Sequence, residues 1–192
     1  MWNILSTAHE ALLTTVKGVP ADGWHRPTPC AEWNVTQVLQ HAVGDQLAYA
    51  SAITGEGGPD FNPFAPSGHV DGDPLTLAEN ATSATSAAWA TIAPDAENVP
   101  VPIPPNSVPA WMGAGAAAMD AAVHAWDIAV ATGQASPLTP ELAAELMPVA
   151  QALVEPLRPY GAFAAALDLE DGDDPAAALL RYLGRDPHWT AA

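Results

Sequence analysis

The chain has 192 residues, 49% hydrophobic and 14% charged, which suffices for one well-formed core and predicts a single domain over residues 1–192. A net charge of −17 with five Lys and Arg in all excludes nucleic acid and anionic membrane surfaces as partners, since neutralising phosphates needs a basic face. No apolar run reaches the ~18 residues of a spanning helix and no basic region precedes one, so the cytoplasm is the expected location, and the lone Cys30 fits a reducing compartment.

Leu5, Ala8, Leu12 and Val16 recur at helical spacing until Gly18 and Pro20 end the pattern, with His9 on the same side as a structural histidine. Residues 24–33 are too interrupted by proline for a helix and form a loop rich in large side chains. Asn34 is a helix N-cap with Gln37 placed to reach back to it, and Val35, Val38, Leu39, Ala42, Val43 and Leu47 define the apolar face that follows. His41 lies at the edge of that face and can look into a bundle. Glycine, proline and aspartate make residues 55–74 a long loop with the length of a lid or site wall, and His69 in it is expected to be solvated.

A third helix is expected from Leu75 to Ile92. The proline-punctuated run Val99–Pro109 must be extended, a strap over the surface. A fourth helix starts near Pro109 and ends at Gly133, a fifth spans Pro140 to about Leu157, and a short sixth covers Pro175 to Leu183. The fold class predicted is all-α, a four-helix bundle with additional short C-terminal helices.

The chemistry concentrates on the fourth helix. Asp120 and His124 are four apart and so lie one above the other on one face, next to the apolar strip of Met119, Val123, Trp126 and Val130. A carboxylate and an imidazole near the interior are costly unless paired or bound to a metal. Adding His41 from the second helix gives two imidazole nitrogens and one carboxylate oxygen, a ligand set for zinc, nickel or another divalent first-row metal with a position left open. Asp127 reads as a partner orienting a ligating imidazole or as a surface carboxylate. Cys30 reads as a small buried residue rather than a reactive thiol, and Trp24, Trp33, Trp89 and Trp126 as core packing, one or two of them walling a pocket.

Three blocks carry a family resemblance: Pro27–Val35 leading into the helix with His41, Asp120–Ala129 with Thr132-Gly133-Gln134, and the ending Leu183-Gly184-Arg185-Asp186-Pro187. Together they resemble the metal-binding family related to the N-terminal domain of mycothiol-dependent maleylpyruvate isomerase, among the DinB/YfiT-like helical bundles. The resemblance implies a metal held by His41, Asp120 and His124, and chemistry in which a low-molecular-weight thiol such as mycothiol is activated at an open metal position for transfer or isomerisation. A non-catalytic metal-binding or sensing protein and a hydrolase using metal-bound water are the alternatives. Arg26 and Arg158, scarce cations in an acidic chain, are the candidates to bind an anionic group on the thiol cofactor, with surface ion pairs as the other reading. The implied partners are a small-molecule thiol and an unidentified small substrate, and the DinB-like resemblance suggests a homodimer.

Overall fold

The computed structural model describes residues 2–191. Its helices are α1 (Asn3–Lys17), α2 (Val35–Thr54), α3 (Pro74–Trp89), α4 (Ala110–Thr132), α5 (Pro140–Leu157) and α6 (Pro175–Tyr182). Their starts follow local chemistry. Asn34 accepts from the Gln37 amide and Gln37 reaches back to the Asn34 amide, closing the expected capping box, while Asp73, Thr139 and Asp174 each cap a helix whose first residue is proline.

The helix α4 is central. From Gly113 to Ala129 every residue except Asp120 is buried, and most are alanine or glycine, so neighbouring helices can approach on all sides. It packs against α1, α2 and α5, with α3 completing the four-helix bundle beside α1 and α2, and α6 lying on α5. At two points on α4 only glycine fits. A Cβ on Gly113 would stand 2.7 Å from the Trp89 ring, and one on Gly115 would stand 2.5 Å from Val149 Cγ2.

Two segments depart from the sequence expectation. The helix α3 stops at Trp89 rather than Ile92, because the chain tightens into turns in which the Thr91 and Ile92 amides donate to the carbonyls of Ala88 and Trp89. The proline-rich run is extended but folds back on itself as two short antiparallel strands, β1 (Val99–Pro100) and β2 (Ser107–Val108), pairing Val99 with Val108. The reason is apolar: Val99, Val101 and Val108 are buried, so the run caps the core instead of crossing the surface as a strap. Among the described residues, no helix is long and apolar enough to cross a membrane.

Candidate metal centre

Two facing helices bring His41, Asp120 and His124 together, with their ligand atoms all within 4.8 Å of one another. Asp120 Oδ1 lies 3.4 Å from His124 Nε2 and 3.6 Å from His41 Nε2. Each ring is fixed from its far side. His41 Nδ1 is 3.0 Å from the Pro63 carbonyl, which can only accept, so the proton is on Nδ1. His124 Nδ1 donates in the same way to Asp127 Oδ2 at 2.9 Å. The two Nε2 atoms and Asp120 Oδ1 therefore face one another, at separations longer than a good hydrogen bond. Such a group is unfavourable in the interior unless a cation joins it.

A divalent first-row metal fits this donor set. Ligand atoms about 2.0–2.2 Å from a tetrahedral metal stand about 3.3–3.6 Å apart, close to the separations from Asp120. A second acidic group is close as well: Asp45 Oδ2 lies 3.7 Å from His41 Nε2, so two carboxyl groups border the two imidazoles. Burial and the nearby Asp45 push the Asp120 carboxyl well above its usual range, and burial pushes the Asp45 carboxyl up too.

Behind His124 lies an anchor. Asp127 is fully buried, and burial alone would raise its pKa, but the Arg185 guanidinium and the His124 hydrogen bond prevail and hold it well below the carboxylate range. Arg185 donates from Nε to Oδ1 and from Nη2 to Oδ2, both at 3.0 Å, a two-pronged grip. Cys30 donates its thiol proton to Asp127 Oδ2 at 3.2 Å, and burial and the carboxylate push that thiol up to about 12. Cys30, Asp127 and His124 are also close enough to share an ion. With Arg185 already on Asp127 and the thiol protonated, a second cation there would meet a neighbouring positive charge and a reluctant ligand.

The site meets solvent beside the loop after α2. Trp33 packs on the His41 ring with centroids 4.7 Å apart, and Phe64, 65% exposed, stands edge-on at 5.4 Å. Gly44 admits this loop, since a Cβ there would stand 2.6 Å from Pro63 Cγ. His9 is buried against Ser86 and Gln46, while His69 is exposed beside Asp71, so neither closes the cluster. Arg26 pairs with Asp22, and Arg158 pairs with Glu155 and lies over the Tyr182 ring; among the described residues neither bonds to the cluster. Arg185 grips Asp127 behind it, and its block was recognised in sequence but given no role. Asp45 was equally legible, four residues after His41 on the same face.

Burial lowers the His124 pKa to about 4 despite the Asp127 hydrogen bond, and burial lowers that of His9 as well. In metal-free protein the stability tied to neutral His124 is therefore complete above the ordinary 6.5 and is lost as pH falls towards 4, because the unfolded chain takes up the proton first. Asp120 runs the other way: its folded carboxyl binds a proton at higher pH than the unfolded one, which favours the fold on acidification. Urea denaturation of chelator-treated protein between about pH 7 and 4 should show a shallower acid loss in His124→Gln than in wild type and a steeper one in Asp120→Asn. Parallel pH profiles in all three would contradict this assignment.

The four-helix bundle is consistent with the DinB-like class that the resemblance implies. Residues 5–129 match the mycothiol maleylpyruvate isomerase N-terminal domain, and the chain belongs to that family. The match covers His41, Asp120, His124 and Asp127, whereas Arg185 lies beyond it. Over its length the chain is similar to two Mycobacterium tuberculosis proteins, uncharacterized protein MT0763 of strain CDC 1551 / Oshkosh and uncharacterized protein Rv0738 of strain ATCC 25618 / H37Rv. Each is 34% identical over 182 residues, covering 93% of both chains. No solved structure matches the chain.

Proposed function

We propose that this protein binds one divalent first-row metal, zinc in the first instance, through His41, Asp120 and His124, and uses it to activate a small thiol such as mycothiol for transfer or isomerisation. The observation that carries the reading is the convergence of His41 Nε2, Asp120 Oδ1 and His124 Nε2, with the two rings oriented from their far sides by the Pro63 carbonyl and by Asp127. A metal held there would favour the thiolate form of an incoming thiol at neutral pH, which is the nucleophilic form.

The protein's own residues do the rest. His41 and His124 supply neutral donors whose rings cannot turn without losing a buried hydrogen bond. Asp120 supplies the charge that offsets a dication, with Asp45 close by, while Asp127 is already neutralised by Arg185. Trp33 and the Pro63–Phe64 turn shield His41 from water on one side, and the exposed Phe64 ring offers an apolar surface to an incoming substrate. Three protein ligands leave a coordination position open, which favours thiol activation over sequestration.

Cobalt-substituted protein tests this directly. Adding mycothiol, or a simpler thiol, should produce a sulfur-to-metal charge-transfer band, and Cys30→Ser should keep the band, because the protein's own thiol is occupied by Asp127. A cobalt-loaded protein that shows no band with any thiol would leave a metal-binding domain without thiol chemistry.

A further inference from the structure

A second network, buried except at Ser86, approaches the site through Asp120, and its hydrogen-bond directions can be assigned from one end. The Ala117 carbonyl can only accept, so the amide atom 3.0 Å from it is Gln46 Nε2. The other end of that amide, Oε1, must then accept, and the atom 2.8 Å away is His9 Nε2, which therefore carries a proton. Burial holds His9 neutral, leaving Nδ1 as its lone-pair nitrogen, and the Ser86 hydroxyl donates to it at 3.1 Å. The remaining Gln46 Nε2 hydrogen reaches Asp120 Oδ2 at 3.4 Å. One residue comes from each helix of the bundle: His9 from α1, Gln46 from α2, Ser86 from α3 and Asp120 from α4.

We infer that Gln46, clamped between the Ala117 carbonyl and a His9 ring that Ser86 steadies, is the positioning residue for the Asp120 carboxylate. By occupying Oδ2 it turns Oδ1 towards His41 and His124, as Pro63 and Asp127 orient the two imidazoles. The inference rests on the metal-binding reading above. The network aims rather than conducts, because a carboxamide at its centre does not readily pass a proton from one side to the other. Gln46 is fully buried, so its amide has no competing water, and a change at Ser86 or His9 is transmitted to Asp120 through one side chain. Neither His9 nor Ser86 needs to touch the metal to affect its binding.

The test compares zinc affinity, by chelator competition, with the unfolding midpoint of the metal-free protein in four variants. Gln46→Leu removes the Asp120 contact and should weaken zinc binding by about 10- to 100-fold. Gln46→Glu replaces the donor by a second carboxylate and should weaken it at least as much. His9→Phe should weaken binding while His9→Gln, which retains a side-chain donor for Gln46, should restore it; this pair decides the matter if Gln46→Leu fails to fold. A merely structural role would lower the unfolding midpoint of His9→Phe and leave its zinc affinity at the wild-type value, and that result overturns the inference. Histidine nitrogen shifts in the metal-free protein give a separate readout. His9 should carry its proton on Nε2 in wild type and lose that signature in Gln46→Leu, whereas an Nδ1 proton in wild type overturns the network. Failure of the wild-type protein to bind zinc would remove the functional reading instead, and the His9 signature would then judge the network alone.

Discussion

Replacing Arg185 by alanine should destabilise the fold by about 3–5 kcal/mol, a large part of the roughly 5–15 kcal/mol that holds a domain of this size together. The cost arises from what is left behind. Asp127 is fully buried and its two oxygens are gripped by Arg185, which is itself only 14% exposed; without the guanidinium the carboxylate keeps a histidine and a thiol as donors but no countercharge. Removing both charges together in Asp127→Asn, Arg185→Met should recover most of the loss, because a buried ion pair contributes little over a neutral, well-packed replacement. Arg185→Lys should recover only part, since one ammonium cannot match two parallel hydrogen bonds. Equilibrium urea denaturation of the metal-free proteins measures all three, and a loss under about 1 kcal/mol in Arg185→Ala would show that Asp127 is not held by this pair. The contact also joins the segment after α6 to α4, so Arg185→Ala should loosen the His124 ring and weaken metal binding in proportion.

How far the sequence reached depended on whether a relation was local along the chain. Asp120 and His124 share a face because they are four residues apart, and Asn34 with Gln37 announced the start of α2, so these were legible from spacing alone. His41 could be placed at a helix edge, but its meeting with α4 needed the bundle. The residues that aim the ligands were the least legible. Arg185 reaches Asp127 across 58 positions, and the acceptor for His41 is a backbone carbonyl at Pro63, for which no side-chain signal exists. Gln46 stands beside apolar α2 positions and looks unremarkable until Ala117 and His9 are seen on either side of it. The valines between prolines that fold β1 back onto β2 carried a hint of burial, yet proline's bar to helix says nothing about where an extended chain turns.

His41, Asp120 and His124 should hold one metal between them. Elemental analysis of protein prepared without a histidine tag should find one divalent metal per wild-type chain. His41→Ala, His124→Ala and Asp120→Asn should each lower affinity by at least the ~10- to 100-fold typical of losing a supporting residue, because each vacates a ligand position rather than loosening one. His25→Ala, His69→Ala and His188→Ala, at exposed positions, should retain the metal. Folded His41→Ala and His124→Ala proteins that carry as much metal as wild type would contradict the site.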